Sequence, residues 1–473
     1  MTELIFDDDE LQSLVEKLVA EHGGPAVSVA LRQGENVSTG VAGLLNIDTG
    51  VEATPDSIFQ IGSNTKVYNA TMAMQLVDEG KLDLDAPIGT YLPDFRLADA
   101  DAATLEQITM RRLLTHTSGI DAGDYFKDCG RGDDAIEKYV ASFDEVGMLY
   151  PVGKYHSYNN GATVIAGRVI EVLRGMPWHR VLKTYLLDPL GLEHSTVLPE
   201  EAILHRAAAG HQPNPDDPEG EPRVVSRWMM TPSIAPAGST LCTSASDLCA
   251  FGAFHIRKGT APDGTRLLSE ESILAMRDLQ YPDIAPGRGI GWAVTTHGGH
   301  QLLTHGGGTS GQQSQFMVFP ELETTLVVLM NGPAGQKVAA AVNKEIFTRL
   351  FGDDYLAQAT ALAPASEQPD GGDALALPID LAKYAGSYAR KDFALSLEVS
   401  DDGQYLVLFM ERSGVPEEEA ERRELARLRP KDAETFGASS AEGAALGEAK
   451  FLELGADGRP GYFQLGRIAK RVS

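Results

Sequence analysis

The sequence predicts an α+β domain followed by a small all-β domain. Apolar runs typical of strands occur near both ends of the first 355 residues, and helical spacing dominates between them, which predicts one sheet assembled from both chain ends. A segment rich in Ala, Pro, Gly and Asp follows, and then short apolar runs alternate with turns, which favours a sandwich or a barrel. We therefore expect a first domain at 1–355, a linker at 356–378 and a β domain at 379–473.

The chain begins with a predicted helix and a strand pair. Apolar residues between Leu11 and Val19 follow helical spacing and end before Gly23. Alternating apolar residues in Ala26–Leu31, and a second short run that ends at Leu45, predict two paired strands.

Helices are predicted through the middle of the first domain, and strands return at its end. The principal helices are expected at Val67–Glu79 and Ala162–Leu173, and a proline-rich segment from His211 to Pro222 is predicted to lack regular structure. A helix at Gly335–Phe351 closes the domain. The strands before it are predicted at Gly289–Thr296, Gln301–Thr304, Gln315–Phe319 and Thr324–Met330.

Composition and charge exclude several classes of partner. The 473 residues include 40 Lys and Arg against 67 Asp and Glu, a formal net charge of −27. This sign repels nucleic acid phosphates and anionic lipid surfaces, so neither is an expected partner. Three scattered cysteines are too few for a disulfide framework or a thiolate metal site. The first ten residues are acidic where a secretory signal is basic, and no long apolar run follows, so we expect a cytoplasmic protein.

The tetrapeptide Ser63-Asn-Thr-Lys66 is a candidate nucleophile and base. Its spacing places hydroxyl and amine on one helix face. At a helix N-terminus, free N–H groups and the helix dipole favour an alkoxide on Ser63 and disfavour a protonated Lys66. Such a pair could activate a nucleophile without histidine. The alternative is that Ser63 caps the helix and that Lys66 is a solvated surface residue.

The tripeptide Tyr158-Asn-Asn160 follows a polar turn and precedes an apolar helix. Next to Lys66, the Tyr158 hydroxyl could relay a proton, and the Asn160 amide could hold the amine or a substrate carbonyl. By itself the tripeptide is equally typical of a turn and a helix cap.

The segment His305-Gly-Gly-Gly308 lies between two predicted strands. Glycines let a substrate lie against a strand edge, and their N–H groups can form half of an oxyanion hole. A glycine-rich turn without chemistry is the alternative.

The three histidines near this segment are not expected to form a metal site. Neither Cys, Asp nor Glu accompanies His305, His300 and His297, so we expect no metal and no cofactor. Trp228 is a candidate wall of the substrate pocket, with core packing as its alternative.

The three motifs in this order resemble the serine β-lactamase-like family of class C β-lactamases, D-specific peptidases and related esterases. Segments at Ile108–Ile120, Asp188–Thr196 and Ala237–Leu248 extend the resemblance. Tyr384-Ala-Gly-Ser-Tyr388 looks like the start of the lipocalin-like barrel that some members carry. The resemblance implies a β-lactamase/transpeptidase-like domain, an antiparallel sheet flanked by helices with an inserted helical lobe, followed by a lipocalin-like β-barrel.

The resemblance also implies roles for the motif residues. Ser63 would be acylated, Lys66 and Tyr158 would move its proton, and Asn160 would hold Lys66 and the substrate. Which of Lys66 and Tyr158 is the base stays open, because both have reference pKa values near 10. The residues implied for the site are Ser63, Lys66, Tyr158, Asn160 and His305 for catalysis, Gly307 and Gly308 beside the substrate, and the N–H groups of Ser63 and Gly308 as the oxyanion hole.

The third motif departs from that of β-lactamases, which usually have Lys-Thr-Gly or Lys-Ser-Gly where this chain has His305-Gly-Gly307. Without that ammonium and hydroxyl, we expect neutral esters, or amides with a free amine, to react faster than penicillins. The expected function is hydrolysis of a small ester or a short peptide through an acyl-enzyme on Ser63. An acyltransferase with the same acyl-enzyme and a non-catalytic penicillin-binding-like sensor are the alternatives, and the oligomeric state is left open.

Overall fold

The computed structural model describes residues 4–217, 220–281, 287–352, 379–412, 422–441 and 443–472. It confirms an α+β domain of the β-lactamase/transpeptidase type and a separate β-barrel at the C-terminus. The predicted linker at 356–378 lies outside the described residues, and the domain boundaries stay a prediction.

The first domain alternates helices with short and long strands, and the barrel is entirely β. The α-helices are α1 Asp8–His22, α2 Thr65–Asp78, α3 Ala102–Leu105, α4 Met110–Leu114, α5 Ala135–Ala141, α6 Asn160–Arg174, α7 Trp178–Leu182, α8 Asp188–Leu190, α9 Pro199–Ala202, α10 Ala245–Ile256, α11 Glu270–Arg277 and α12 Gly335–Phe351. The strands of the first domain are β1 Ala26–Gln33, β2 Asn36–Asn46, β3 Val51–Glu52, β4 Phe59–Gln60, β5 Ser195–Thr196, β6 His211–Gln212, β7 Arg223–Val224, β8 Cys242–Thr243, β9 Gly287–Arg288, β10 Ala293–His297, β11 His300–Gly308, β12 Gln313–Phe319 and β13 Thr324–Met330. Those of the barrel are β14 Gly386–Arg390, β15 Phe393–Val399, β16 Leu406–Arg412, β17 Arg423–Pro430, β18 Thr435–Ser439, β19 Ala445–Leu454, β20 Pro460–Leu465 and β21 Arg467–Arg471. No described helix has the length and apolar character that a bilayer crossing requires.

The main sheet joins the two ends of the first domain, as the sequence predicts. Its eight strands lie in the order β3-β2-β1-β13-β12-β11-β10-β9 and are antiparallel throughout. Val27 on β1 lies opposite Met330 on β13. The two strands are far apart in the chain, so this pairing closes the domain.

The two faces of the sheet are covered by different helices. Val29 and Leu31 on β1 pack in the cluster formed with α1 and α12, whereas Ala30 packs in the larger cluster that includes α2, α6 and α10. Side chains of a strand alternate between its faces, so the apolar residues of β1 are buried on both sides of the sheet. The larger cluster contains the helical lobe and places α2 in the interior.

Helix α2 is held to the helical lobe through Asn69. The Asn69 side-chain nitrogen donates to the Thr163 carbonyl on α6 at 3.2 Å, and its oxygen accepts from Trp178 Nε1 at 2.8 Å. Asn69 and Trp178 are both fully buried. This link fixes the helix that follows Ser63 against the helix that follows Tyr158.

The β domain is a closed barrel of eight antiparallel strands, which decides between the sandwich and the barrel. Its interior is filled by side chains. The Phe451 ring lies 4.8 Å from Phe436 and 5.3 Å from Phe463, measured between ring centroids. An eight-stranded barrel is about wide enough for side chains to occupy its interior.

One local prediction was wrong. The segment from His211 to Pro222 begins with a strand, β6, because His211 and Gln212 precede the first proline of the segment and pair with β7. In the barrel, strands β20 and β21 are joined by a turn at Gly466, whose φ of +69° favours glycine.

Substitution of Trp178 by Phe tests the link through Asn69. The change removes the indole N–H and leaves the buried Asn69 oxygen without a donor, which costs about 1–3 kcal/mol. We expect the free energy of unfolding in urea to fall by more than in Trp292→Phe. Trp292 is the matched control, because it is equally buried but its Nε1 has no hydrogen-bond partner among the described residues. Equal losses in the two variants would contradict the role of this hydrogen bond.

Candidate active site

The three sequence motifs converge on one cleft. Ser63, Tyr158 and the segment His305–Gly308 line a cavity of about 350 Å³, together with Arg288 and Thr304. Lys66 lies directly behind Ser63, and only 2% of its surface is exposed. The structure therefore brings together residues that are up to 245 positions apart.

Ser63 lies in a 3₁₀ turn, Gly62–Asn64, that leads into α2. Gly62 has a φ of +54°, and a Cβ there would lie 2.4 Å from the Gly308 nitrogen, so the close approach requires glycine. The Asn64 amide donates to Ser314 Oγ at 2.7 Å, and Ser314 Oγ donates to the Ile61 carbonyl at 2.7 Å. The turn with Ser63 is thus fixed against strand β12.

The Lys66 amine faces the Ser63 hydroxyl without a charged partner. Lys66 Nζ lies 3.0 Å from Ser63 Oγ and 2.7 Å from the Ala237 carbonyl oxygen. Within the described ranges, no carboxylate forms an ion pair with Lys66. Burial lowers its pKa well below the usual range, and the charge of Arg467 lowers it further. A neutral amine at this position can accept the Ser63 proton.

Tyr158 lies near Lys66 and near histidine and arginine side chains. Its pKa is raised, whereas that of Lys66 is lowered. Its ring centroid is 4.8 Å from Lys66 Nζ and 4.6 Å from the His116 ring. Burial raises the pKa of Tyr158 to about 12, and interactions with Ser63 and with the Arg467 charge oppose part of that rise. Tyr158 is therefore a phenol rather than a phenolate at neutral pH, and it can donate a proton.

Asn160 has a different partner from the one that the resemblance implies. Its side-chain nitrogen donates to the Gly123 carbonyl at 2.9 Å, whereas the Lys66 amine is held by Ser63 and Ala237. Asn160 is the first residue of α6, and its side chain ties that helix end to the neighbouring loop. Both side chains are among the described residues, and they form no hydrogen bond with each other, contrary to the expectation from the resemblance.

The glycine segment after His305 is a strand edge and not a turn, because β11 extends to Gly308 and pairs with β12. A Cβ on Gly307 would lie 1.8 Å from the Ile61 carbonyl oxygen. His305 Nδ1 lies 2.7 Å from the Gly306 carbonyl, an acceptor, so Nδ1 carries the proton and Nε2 is free to accept. Burial lowers the pKa of His305 to about 3, which keeps the ring neutral.

The prediction that Trp228 lines the pocket was wrong. Its indole N–H donates to the Ala208 carbonyl at 2.7 Å, and its ring packs against a small cluster that contains Ile58, Met229 and Cys242. Trp228 is not among the described residues that line the cleft with Ser63. Trp228 instead packs against a core cluster, which is the alternative that the sequence also allowed.

Two arginines of the site were missed from the sequence. Arg288 lines the cleft, and in the part of the chain that the structure describes its Nε has no hydrogen-bond partner and no carboxylate pairs with it. Arg467 comes from the barrel, and its guanidinium carbon lies 5.4 Å from the Tyr158 ring centroid. Arg288 directly precedes a predicted strand without any motif, and Arg467 is 309 positions from Tyr158, so no local pattern marks either residue.

The cleft is cationic although the chain is strongly acidic. The third motif lacks the lysine of β-lactamases, but Arg288, from another strand, places a guanidinium in the lining of the cleft. The described lining contains no Asp or Glu side chain. The net charge of −27 is therefore a property of the remaining surface and not of this cavity.

Comparisons with known proteins identify the family that this chain resembles. A family model described as Beta-lactamase matches residues 11–350. Penicillin-binding protein 4 of Amycolatopsis lactamdurans is 38% identical over 395 residues, which cover 82% of this chain and 98% of that protein. The structure of SurE with D-Leu has a TM-score of 0.70 at 27% identity and covers 98% of this chain and 99% of its own. D-amino acid amidase from Ochrobactrum anthropi SV3 complexed with D-phenylalanine has a TM-score of 0.58 at 26% identity, covering 72% of this chain and 97% of its own.

Alanine at Gly307 tests the close approach of β11 to the turn that carries Ser63. The new Cβ would collide with the Ile61 backbone and lie 2.6 Å from Ser314 Oγ, so β11 must move. We expect a loss of about 1–3 kcal/mol in the free energy of unfolding, as for an overpacked core. Gly306→Ala is the matched control, because the nearest atom to its Cβ is 3.7 Å away. Urea unfolding of both variants measures the difference, and equal stabilities would refute the proposed close contact.

Proposed function

The chain belongs to the beta-lactamase family of serine hydrolases, and from this premise we propose that it cleaves an amide or ester bond of a small acyl donor through an acyl-enzyme on Ser63. The observation that carries the proposal is the distance of 3.0 Å between Ser63 Oγ and the buried, uncompensated amine of Lys66. A neutral amine next to an accessible hydroxyl is the arrangement that nucleophilic catalysis without histidine requires.

The proposed reaction begins with Lys66 as the base. Its free amine takes the Ser63 proton while Oγ attacks the substrate carbonyl carbon, and the N–H groups of Ser63 and Gly308, both residues of the cleft lining, would receive the developing oxyanion. The Tyr158 phenol then protonates the leaving group and is reprotonated by Lys66. In the second half-reaction, Lys66 takes a proton from water as its oxygen attacks the acyl carbon. The bond between that carbon and Ser63 Oγ then breaks, and Lys66 returns the proton to Oγ. The opposite pKa shifts of Lys66 and Tyr158 support this division of roles.

The proposed substrate is a short peptide, or a peptide-like ester, with a carboxylate near the scissile bond. Arg288 supports this choice, because it is a cation in the cleft without an acidic partner among the described residues. A carboxylate bound there would gain charge-assisted hydrogen bonds. SurE was solved with D-Leu, and another similar structure is that of a D-amino acid amidase, which supports a D-residue at the cleaved bond.

Cleavage of matched substrates tests the proposed function. We expect purified protein to release product from peptides or nitrophenyl esters, and to prefer the D- over the L-residue at the cleaved bond. Ser63→Ala is expected to lose at least ~10³-fold in kcat, because only binding and the oxyanion contacts remain. Turnover by Ser63→Ala at the wild-type rate would contradict the assignment of the nucleophile.

The pH dependence of kcat/KM tests the role of Lys66. A lowered pKa means that the active, neutral amine is present above that pKa and is lost as the pH falls through it. We therefore expect kcat/KM to rise with pH along a limb that lies well below the usual lysine range. Burial lowers the pKa of His305 to about 3, so His305 does not titrate near neutral pH. In Lys66→Ala the limb should disappear together with most of the activity, and a limb that persists would assign it to another group.

Replacement of Arg288 by Gln tests the proposed carboxylate contact. We expect kcat/KM for an anionic substrate to fall by at least about tenfold, while a neutral substrate of the same size changes by less than about twofold. Arg459→Gln is the control for the loss of one positive charge, because Arg459 is exposed on the barrel. Equal losses for both substrates would refute carboxylate binding by Arg288 and favour a general packing role.

A further inference from the structure

The last hairpin of the barrel is bonded to the segment that carries Tyr158. Strands β20 and β21, joined at Gly466, contribute one hydrogen bond to each of three consecutive residues of the first domain. These bonds run from Gln464 Nε2 to the His156 carbonyl at 2.8 Å, from the Ile468 N–H to Ser157 Oγ at 3.1 Å, and from Arg467 Nε to the Tyr158 carbonyl at 3.2 Å.

A buried carboxylate beside this segment is paired with the barrel as well. Asp124 is 8% exposed and forms ion pairs with Arg467 and with Arg390, whose Nε lies 2.7 Å from Asp124 Oδ2. The preceding residue, Gly123, accepts the hydrogen bond of the Asn160 side chain. The barrel therefore binds the loops on both sides of the Tyr158 side chain.

Apolar contacts accompany these polar ones. Ile468 on β21 is fully buried in a cluster with Leu149 and Tyr150 of the first domain, and the Tyr462 ring lies 5.9 Å from the Tyr155 ring. Buried hydrogen bonds and ion pairs surrounded by apolar side chains keep their partners in a fixed geometry, because breaking one leaves an unsatisfied polar group.

Arg467 also places a positive charge near both proton-carrying side chains. Its charge lowers the pKa of Lys66 and that of Tyr158. The side chains with charges or titratable groups that face Tyr158 are Lys66 on α2, His116 after α4, Arg288 on β9, His305 on β11 and Arg467 on β21. Arg467 alone in this set comes from the barrel.

We propose that the C-terminal barrel completes the catalytic site, with Arg467 as a positioning residue that fixes the Tyr158 segment and holds a positive charge beside Tyr158 and Lys66. The inference rests on the proposed function, since Tyr158 and Lys66 need a defined geometry only if they move the Ser63 proton. It assigns to the barrel a role that the sequence leaves undefined.

The test is the rate at which a neutral fluorophosphonate modifies Ser63 in the full chain. This rate is measured at a series of pH values by intact-mass spectrometry. In Arg467→Ala we expect the rate at neutral pH to fall by at least about tenfold and its acidic limb to move to higher pH, because loss of a nearby cation raises the pKa of Lys66. Lys470→Ala is the matched control, since Lys470 is an exposed cation on the same strand. An unchanged rate and limb in Arg467→Ala would overturn the proposal.

Two further variants separate position from charge. Arg467→Lys retains the cation, so we expect the acidic limb of its pH–rate profile to lie closer to that of the wild type than the limb of Arg467→Ala does. Gln464→Ala removes the bond to the His156 carbonyl and leaves every charge in place, so we expect slower modification without a shift of the limb. Wild-type rates in Gln464→Ala would contradict the positioning role even if Arg467→Ala did not fold. Failure of the wild-type chain to be modified at Ser63 would instead refute the proposed function.

Discussion

The burial of one amine without a compensating carboxylate determines the chemistry of this site. Lys66 lies between the Ser63 hydroxyl and the Ala237 carbonyl, and desolvation there favours the neutral form of the amine. A paired carboxylate would stabilise the ammonium and remove its capacity to accept a proton. The fold excludes such a partner from the described surroundings of Lys66 by enclosing α2 between the sheet and the helical lobe.

The rest of the structure keeps the cleft open around that buried amine. Asn69 ties α2 to the lobe, and Gly62 and Gly307 allow the backbone of β11 to approach the turn with Ser63 more closely than any side chain would permit. On the opposite side, the barrel is bonded to the Tyr158 segment. Segments that fold around two separate cores, that of the first domain and that of the barrel, therefore meet at one cleft.

The fold and the central site residues could be predicted because their signals are local. The alternation in Ala26–Leu31 indicates β1, and the spacing of Ser63 and Lys66 places both on one helix face. Arg288, and the contact of the barrel with Tyr158, could not be predicted, because they depend on the packing of distant segments. The partner of Asn160 and the position of Trp228 could not be predicted for the same reason: the Gly123 carbonyl binds the Asn160 side chain, and the Ala208 carbonyl binds the Trp228 side chain.

The account depends most directly on the protonation state of Lys66. Titration of ¹³C-lysine-labelled protein by NMR, with Lys66→Ala to assign the resonance, measures that state in the resting enzyme. The account predicts one lysine that loses its proton well below the range of the exposed lysines. A Lys66 amine that titrates with a pKa near the reference value of about 10.4 would contradict its role as a neutral base at neutral pH.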